Sequence, residues 1–352
     1  MTTINDIAKI ASVGIGTVSR VLSGKGSVSE KTRLRVLQVM SDLNYRPNSV
    51  ARSLATRQTN SIGLMVPEFH GRYFGRLITA AERNLREDGR HIMVASGFGG
   101  VAEELAAIEH LRGWECDGLI LYSTELSDQA LITLIQSHPN IALINRIVDE
   151  VAEHCFKVDY ALGGVLAARR LLAGGHREIA CITGPRHKAD AMERQAGFEA
   201  ELAKAGIGVA GLIKLEGDYN YDSGALCMEQ LWQTHKGNFT AVFCGNDEMA
   251  VGALFKLTEL GRSVPEDVSI IGYDNAHLAR HTFPKLTTIL NPMEDIALNA
   301  ANYIRNLCYK QHNNVQNLFK PCLVERNSVR DIRSARGRGS VHSPGSDTRN
   351  IR

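Results

Sequence analysis

The amino-terminal fold is decided by residues 3–22, which read TINDIAKIASVGIGTVSRVL. Thr3 and Asp6 have the spacing of a helix capping box. The apolar residues that follow recur on one helical face: Ile4, Ile7, Ala8 and Ala11. Residues 12–14 interrupt this pattern, and a second helix is predicted to begin near Ile15. The stretch therefore predicts two short helices joined by a tight turn.

A third helix is predicted from about Glu30 to Leu43, with Ser29 as its N-cap. Helical spacing assigns four apolar residues to its buried side: Val36, Leu37, Met40 and Leu43. The second helix is predicted to bury Val18, Val21 and Leu22. It turns a short polar face outward, formed by Gly16, Thr17, Ser19 and Arg20. A three-helix core of this kind can hold one helix in the major groove of DNA.

The positive charge of the chain is concentrated near its amino terminus. Residues 1–60 contain nine Lys and Arg and three Asp and Glu, a surplus of six, whereas all 352 residues have a formal net charge of +2. A basic region on an otherwise mildly acidic protein is typical of a surface that neutralises phosphates. Double-stranded DNA is therefore the expected partner.

Several short motifs follow one another in the first 54 residues. They are Asp6-Ile7-Ala8, Thr17-Val18-Ser19-Arg20-Val21-Leu22, Val28-Ser29, Thr32-Arg33, Asn44-Tyr45-Arg46-Pro47-Asn48 and Ala51-Arg52-Ser53-Leu54. In this order they resemble the lactose/galactose repressor family of bacterial transcriptional regulators. The resemblance extends to about Val329 and is closest to the galactose-repressor branch, with residues 143–146 and 246–252 as the best examples. It implies a helix-turn-helix domain, a hinge and an effector-binding domain.

The resemblance implies that this chain binds a palindromic operator through its helices and hinge. The expected DNA-binding residues are Thr3, Ile15, Gly16, Thr17, Ser19, Arg20, Ser29, Thr32, Asn48, Arg52 and Leu54. Arg20 has the geometry for a bidentate contact to guanine, and its alternative role is a phosphate anchor. Leu54 is expected to insert into the central minor groove and kink it, with packing inside the linker as the alternative.

From Ser61 onward, short apolar strands alternate with amphipathic helical stretches. Strands are predicted at 62–66, 92–95, 119–122, 141–144, 179–183, 241–244, 268–272, 286–290 and 323–325, and a late helix at about 293–309. This alternation predicts an α/β fold with two doubly wound, parallel-sheet lobes. The resemblance implies the same periplasmic-binding-protein-like architecture.

We expect four segments along the chain. They are a helix-turn-helix domain at 1–46, a hinge helix or linker at 47–60, an effector-binding and dimerisation domain at 61–330, and a disordered basic tail at 331–352. The resemblance implies that late segments cross back between the lobes. Lobe 1 then comprises about 61–160 and 291–320, and lobe 2 about 161–290 and 321–330. The tail lacks the apolar heptads of a coiled coil, so a homodimer is expected.

The apolar runs indicate where in the cell the protein is located, and the cysteines indicate whether it forms disulfides or binds a metal. No apolar run approaches the roughly 20 residues of a membrane span, and no apolar signal region precedes the first helix. We therefore expect a cytoplasmic protein without a membrane partner. The seven cysteines form no C-x-x-C pair and have mostly apolar neighbours. Buried thiols are expected, with no disulfide, structural metal or cofactor.

Polar side chains follow several predicted strands, at the edge where open α/β sheets bind ligands. Each one alone is also typical of turns and helix caps, but their joint pattern favours a ligand site. With the resemblance, the expected effector-binding residues are Phe69, Tyr73, Phe74, Asn145, Arg146, Arg194, Tyr219, Asn246, Asp274 and Asn291. The aromatic members have ordinary core packing as their alternative.

This set of side chains favours a sugar as the effector. Asp, Asn and Arg side chains can form hydrogen bonds with the paired hydroxyls of a sugar, and an aromatic side chain can pack against the C–H face of the sugar ring. Galactose or a galactoside is preferred, a β-glucoside comes next, and a purine is third. The effector is expected to weaken operator binding by about 1–3 kcal/mol, with corepression as the alternative.

Two other protein classes share parts of this pattern. A periplasmic sugar-binding protein has two such lobes, but it needs a signal peptide and has no use for residues 1–60. A nucleotide-dependent α/β enzyme needs a glycine-rich phosphate loop after a strand. The nearest stretch, residues 97–100, lacks the G-x-G-x-x-G form. No Ser/His/Asp or paired-carboxylate arrangement stands out, so we expect no catalytic residues.

Overall fold

The computed structural model describes residues 2–23, 26–45, 58–69, 72–208, 212–235 and 237–333. The chain divides into two compact units, one of residues 1–61 with 115–117 and one of residues 62–114 with 118–352. The expected hinge contacts Asn48, Arg52 and Leu54 lie outside the described residues, as does most of the expected basic tail. Within the described ranges, no helix is both long and apolar enough to cross a membrane.

The first unit contains three helices: α1 (Ile4–Ile10), α2 (Ile15–Ser23) and α3 (Glu30–Asp42). At the start of α1, the Thr3 amide donates to Asp6 Oδ2 at 2.8 Å and the Asp6 amide donates to Thr3 Oγ1 at 3.4 Å. The bond from the Thr3 amide lowers the pKa of the Asp6 carboxyl, because it favours the charged form. At α3, the Thr32 amide donates to Ser29 Oγ at 3.3 Å. The predicted capping box and N-cap are confirmed.

A small apolar core joins these three helices. Its buried members are Ile7, Ala8, Ala11, Val18, Val21 and Val36. The prediction that Leu37 lies on the buried side of α3 is wrong, because Leu37 is 46% exposed. Val39, Met40 and Leu43 pack against the core with Val36. Leu37 is rotated by about 100° from Val36 and therefore falls outside that face.

Lobe 1 of the second unit is built on a six-stranded sheet. Its strands are β1 (Ser61–Val66), β2 (His91–Ser96), β3 (Gly118–Leu121), β4 (Ile141–Ile144), β5 (Cys155–Val158) and β11 (Leu318–Phe319), in the order β11-β5-β4-β3-β1-β2. The pairings from β1 through β3, β4 and β5 to β11 are all parallel. The helices of this part of the chain are α4 (Arg72–Arg86), α5 (Val101–Gly113), α6 (Asp128–Ser137) and α11 (Met293–Tyr309).

Lobe 2 repeats this architecture with a second six-stranded sheet. Its strands are β6 (Ile179–Thr183), β7 (Ile213–Glu216), β8 (Ala241–Cys244), β9 (Ser269–Asp274), β10 (Thr287–Leu290) and β12 (Cys322–Val324), in the order β12-β10-β9-β8-β6-β7. The pairings are parallel except that β12 runs antiparallel to β10. The helices are α7 (Tyr160–Ala173), α8 (Ala189–Lys204), α9 (Tyr221–His235) and α10 (Asp247–Glu259). The predicted fold class is confirmed.

Glycines allow α7 and α8 to approach each other closely. A Cβ atom on Gly164 would lie 2.0 Å from the carbonyl oxygen of Arg194, and a Cβ atom on Gly197 would lie 1.9 Å from that of Ala161. No larger side chain fits at either contact, so both helices depend on these glycines for their spacing. This packing fixes the segment of α8 that carries Arg194.

Candidate functional site

A cleft of about 1820 Å³ lies between the two lobes of the second unit. It is lined by residues that follow β1, β3 and β4 in lobe 1 and β6, β8 and β9 in lobe 2. The carboxyl ends of the parallel strands therefore meet at the cleft, where open α/β sheets bind their ligands. The expected effector residues that line it are Tyr73, Phe74, Asn145, Arg146, Arg194, Tyr219, Asn246 and Asp274.

Arg194 lies at the centre of the lobe 2 wall and is only 2% exposed. Its Nη2 lies 3.0 Å from Asp190 Oδ2, and its Nη1 lies 3.4 Å from Asp274 Oδ1. Nη1 also donates to the Gly245 carbonyl at 2.7 Å. The guanidinium therefore holds two carboxylates from different elements beside the cleft, and these charged contacts are stronger than neutral hydrogen bonds.

Three tyrosine rings surround the same guanidinium. The Arg194 carbon Cζ lies 4.1 Å from the ring centroid of Tyr273, 4.9 Å from that of Tyr160 and 5.5 Å from that of Tyr219. Ring faces attract a cation at these distances. Arg194 Nε is buried and has no hydrogen-bond partner among the described residues. The aromatic surroundings therefore help to keep this charge inside the protein.

Asp274 ends β9 with a φ of 101°, in the left-handed region. Burial raises the pKa of its carboxyl, while the Arg194 charge and a hydrogen bond from Asn291 oppose that rise. Asn291 Nδ2 donates to Asp274 Oδ1 at 3.0 Å. Asn291 is 1% exposed and is absent from the cleft lining. The structure thus places Asn291 behind Asp274, which it orients, rather than at the surface where an effector contact was expected.

The wall around Asn145 is a network of neutral hydroxyls. Asn145 Nδ2 donates to the Tyr122 hydroxyl at 2.6 Å, and Asn145 Oδ1 accepts from the Tyr160 hydroxyl. The Tyr73 hydroxyl lies 3.5 Å from that of Tyr160 and donates to Met293 Sδ at 3.0 Å. Burial raises the pKa of all three tyrosines well above the usual value. These hydroxyls therefore stay protonated and act as neutral hydrogen-bonding groups.

Phe74 and Arg146 complete this wall. The Phe74 ring meets Tyr122 edge to face, with the centroids 5.3 Å apart. Arg146 Nη1 donates to the Leu126 carbonyl at 2.5 Å, and Nη2 lies 2.6 Å from Asp128 Oδ1. Arg146 therefore reaches the cleft with its guanidinium already engaged by the loop after β3 and the start of α6.

Tyr219 and Asn246 support each other in lobe 2. The Tyr219 hydroxyl donates to Asp190 Oδ2 at 3.1 Å. Asn246 Nδ2 donates to the Tyr219 carbonyl at 2.7 Å, and Asn246 Oδ1 accepts from the Met249 amide at 2.9 Å. Asn246 is thus the N-cap of α10 and also the support of the Tyr219 backbone. It combines the structural role of a helix cap with a place in the cleft lining.

Four non-glycine residues at the cleft have positive φ angles. They are Asn145 at 68°, Tyr219 at 72°, Asp274 at 101° and Asn275 at 50°. Backbone conformations in sparsely populated regions cost about 1–3 kcal/mol each and are typically found at functional sites. The cleft therefore combines polar side chains with four of the nine positive-φ, non-glycine positions among the described residues.

Some side chains differ from the expectation. Phe69 is 58% exposed and does not line the cleft, where Tyr73 and Phe74 supply the apolar surface. Sequence reasoning missed Asp190, although its i, i+4 spacing from Arg194 is a signal that could have found it. It also missed Tyr122, which directly follows β3 and so obeys the strand-end rule.

The exposed side of α2 carries the residues expected to read DNA bases. Ile15 is 51% exposed. Ser19 and Arg20 are also exposed, while Thr17 is half-buried. Arg20 Nε donates to the Gly16 carbonyl at 3.1 Å, which folds the side chain back along its own helix. The structure therefore groups these residues on one outward helical face.

Two other expected DNA contacts, Thr3 and Ser29, are helix N-caps, and a third, Thr32, lies in the first turn of α3. Thr3 Oγ1 lies 2.8 Å from Asp6 Oδ2, and Ser29 Oγ lies 2.9 Å from Thr32 Oγ1. These contacts satisfy polar groups at the first turns of α1 and α3. The geometry gives Thr3, Ser29 and Thr32 a local structural role, and their contacts to DNA stay a prediction.

Comparison with known proteins identifies the architecture. Residues 3–48 match the family model for bacterial regulatory proteins of the lacI family, and residues 168–329 match a periplasmic binding protein-like domain. Over 330 residues the chain is 34% identical to the HTH-type transcriptional regulator GalR of Escherichia coli strain K12, with 94% of this chain and 96% of that protein covered. The chain belongs to the LacI family of bacterial transcriptional regulators.

Other LacI-family proteins match over a similar length. The HTH-type transcriptional repressor PurR of Escherichia fergusonii is 35% identical over 341 residues, with 94% of this chain and 98% of that protein covered. The crystal structure of the lac repressor dimer bound to operator and the anti-inducer ONPF superposes with a TM-score of 0.82. It is 29% identical and covers 94% of this chain and 99% of its own. The expected family is confirmed, and this LacI-family chain is a DNA-binding transcriptional repressor with an N-terminal helix-turn-helix.

Proposed function

We propose that this LacI-family repressor binds a palindromic operator as a homodimer and is released from it by a sugar. Galactose or a galactoside is the preferred effector. The proposal rests on the cluster that buried Arg194 forms with the half-buried Asp190 and Asp274 in the lining of the cleft. The similarity of this chain to GalR, which covers 94% of its length, agrees with this choice.

The cluster has unused acceptors that suit ligand hydroxyls. Among the described residues, its internal bonds use Oδ2 of Asp190 and Oδ1 of Asp274. The second oxygen of each carboxylate can accept a hydrogen bond from a ligand hydroxyl. A sugar epimer with one hydroxyl turned away would leave one of these acceptors unpaired, so the cluster can discriminate between epimers.

The charge of the cleft favours a neutral effector. Ten Asp and Glu residues and six Lys and Arg residues line it, a surplus of four acidic groups, one of which, Asp247, is shifted towards its neutral form because burial raises its pKa well above the usual value. The charge of Arg194 is already balanced by its two carboxylate partners. A phosphorylated sugar would be repelled by the acidic lining, whereas an uncharged sugar would not. We therefore propose the free sugar rather than its phosphate ester.

The helix-turn-helix is proposed to read the operator through the exposed face of α2. In this proposal Arg20 leaves the Gly16 carbonyl and contacts a guanine or a phosphate. Ile15 contacts a thymine methyl group. The hinge residues Arg52 and Leu54 then bind a phosphate and the minor groove.

Coupling between the two sites follows from thermodynamic linkage. A sugar that binds better to one arrangement of the lobes shifts the population towards that arrangement. If that arrangement binds operator less well, the sugar weakens operator affinity by the coupling free energy, about 1–3 kcal/mol. The proposed repressor is therefore inducible.

A purine corepressor is the second candidate. The similarity to PurR extends over 94% of this chain, and Tyr73, Phe74 and Tyr122 offer flat aromatic surface at the cleft. A purine would pack against these rings. In that case the ligand would strengthen operator binding.

The test is a titration of the operator complex at fixed salt. The full-length protein is bound to the palindromic site upstream of its own gene, and D-galactose, methyl β-D-galactoside, cellobiose, galactose 6-phosphate and hypoxanthine are added in turn. Release by galactose or the galactoside, with no response to the phosphate ester, is expected. Release by cellobiose alone moves the effector class to β-glucosides. Tighter binding with hypoxanthine, or no response to any compound, contradicts the proposed sugar induction.

A further inference from the structure

Glu104 is a buried carboxylate that does not line the cleft. It lies in the first turn of α5 and is 1% exposed. The acid next to it, Glu103, is exposed. Burying a carboxylate is costly unless its oxygens are fully hydrogen-bonded, so Glu104 needs an explanation that Glu103 does not.

The loop after β3, residues 123–126, supplies that hydrogen bonding. Oε1 of Glu104 accepts from the amides of Thr124 at 2.7 Å and Glu125 at 3.1 Å. Oε2 accepts from Ser123 Oγ at 2.5 Å and from the Leu126 amide at 3.1 Å. One side chain thus holds four consecutive residues of this loop.

The backbone around Glu104 is shaped to allow this contact. A Cβ atom on Gly97 would lie 2.9 Å from Glu104 Cγ and 3.3 Å from its Cα. Gly97 therefore gives α5 the room to place Glu104 against the loop.

The same loop carries one wall of the cleft. Ser123, Thr124 and Glu125 line the cleft directly. The Leu126 carbonyl accepts the bond from Arg146, and Tyr122, just before the loop, accepts the bond from Asn145. A shift of the loop would therefore move both Arg146 and Tyr122.

We propose that Glu104 is a positioning residue for effector binding: it fixes residues 123–126 so that the lobe 1 wall has the shape that the ligand requires. This inference rests on the proposed function of the cleft as an effector site. A carboxylate is needed because it only accepts hydrogen bonds. Glutamine at this position would turn an NH₂ group towards N–H donors and leave at least one of them unpaired.

The test compares Glu104→Gln with the matched control Glu103→Gln, which removes the same charge from an exposed neighbour. Affinity for the wild-type ligand identified in the panel above is measured by calorimetry, and operator affinity is measured without ligand. Glu104→Gln is expected to weaken ligand binding about tenfold or more, as for other residues that orient ligand contacts. Operator affinity and the control variant should stay at the wild-type values.

A second readout needs no ligand. Amide hydrogen exchange of residues 124–126 is expected to be about tenfold faster in Glu104→Gln than in wild type or Glu103→Gln, because the loop opens locally. Unchanged exchange, or ligand affinity equal to that of the control, overturns the inference. A wild-type protein that binds no compound of the panel contradicts the proposed function instead, and exchange alone then decides whether Glu104 positions the loop.

A milder variant covers the case in which Glu104→Gln does not fold. Ser123→Ala removes one donor to Glu104 and leaves the loop amides in place. It is expected to speed amide exchange of residues 124–126 about threefold, in line with the loss of one hydrogen bond. If amide exchange of these residues in Ser123→Ala equals that in wild type, the inference is overturned. A loss of operator affinity in parallel with ligand affinity also overturns it, because that result indicates general destabilisation.

Discussion

The two walls of the cleft hold their polar groups in different ways. On lobe 2, Arg194 joins Asp190 and Asp274 in a buried cluster of charges. On the lobe 1 wall, Asn145 donates to the neutral hydroxyl of Tyr122, and it accepts a hydrogen bond from the neutral hydroxyl of Tyr160, which reaches it from α7 of lobe 2. Removing one member of a buried ion cluster leaves an uncompensated charge, whereas a neutral network loses only a hydrogen bond.

This difference assigns separate tasks to the walls. In the proposed function, the charged wall presents strong acceptors for ligand hydroxyls and is expected to contribute more to the binding free energy. The neutral wall is held in shape by weaker bonds and by the Glu104 loop, and it is expected to determine which ligand fits. Substitutions on each wall and at the DNA-reading face test whether the two walls differ in this way.

The largest effect is expected for Arg194→Met. It leaves the side chains of Asp190 and Asp274, which are only 13% and 16% exposed, without their cation, at a cost of about 3–5 kcal/mol in the free energy of unfolding. Ligand binding is expected to be lost. Urea denaturation and calorimetry measure the two quantities. Arg186→Met is the control, because that side chain is 71% exposed and its ion pair with Glu216 contributes about 0–1 kcal/mol. If Arg194→Met and Arg186→Met have the same free energy of unfolding, the contacts of Arg194 with Asp190 and Asp274 do not stabilise the protein.

Asp274→Asn is expected to have the next largest effect. It removes the charged acceptor and weakens ligand binding by about 1.5–3 kcal/mol, while operator affinity without ligand stays at the wild-type value. Ligand calorimetry and an operator-binding assay check this outcome. Asp295→Asn, at an exposed position of the same cleft, is the control. Equal ligand affinity in the two variants would remove Asp274 from the binding site.

Arg20→Ala tests the DNA-reading face with both walls intact. Operator affinity is expected to fall by about 1–3 kcal/mol, with ligand affinity unchanged. Arg20→Lys separates the two roles left open for this residue. A phosphate anchor works with lysine, whereas a bidentate contact to guanine does not. Loss of ligand binding in Arg20→Ala would contradict the separation of the two sites.

The smallest effect is expected for Tyr122→Phe on the neutral wall. It removes the acceptor of the Asn145 bond and weakens ligand binding by about 0.5–1.5 kcal/mol. The preference between D-galactose and methyl β-D-galactoside should also change, since this wall adjusts the fit. Calorimetry with both sugars measures the two effects. A loss as large as that of Asp274→Asn would contradict the division of tasks between the walls.

The fold was predictable wherever apolar periodicity was strong. β4, β6 and β8 have their predicted bounds because each is an uninterrupted buried run. β5, β7 and β11 have no counterpart in the prediction. β5 contains Lys157, and β7 alternates apolar and charged residues at a sheet edge. β11 has only two residues. The edge strands β7 and β11 give a weaker apolar signal because they are partly exposed, whereas in the buried inner strand β5 the charged residue Lys157 interrupts the apolar run.

The cleft was predictable from the sequence only because the carboxyl ends of neighbouring parallel strands meet at the same edge of a sheet. Asn145, Asn246 and Asp274 line the cleft because each ends a parallel strand or lies within two residues of its end. Phe69 also follows a strand, but it does not line the cleft. Asn291 does not line the cleft either and instead donates a hydrogen bond to Asp274, which does. Which way a side chain points after a strand depends on local backbone conformation and on neighbours from distant parts of the chain. The spacing of residues along the sequence gives no information on either the local backbone conformation or these distant neighbours.

We propose that one sugar releases this repressor from DNA through the charged wall of the cleft. Operator affinity with and without D-galactose, measured for wild type and Asp274→Asn side by side at fixed salt, tests this proposal directly. Galactose is expected to weaken operator binding of wild type by about 1–3 kcal/mol and to leave that of Asp274→Asn unchanged. An equal response of both proteins, or no response of wild type to any sugar, would contradict the proposal.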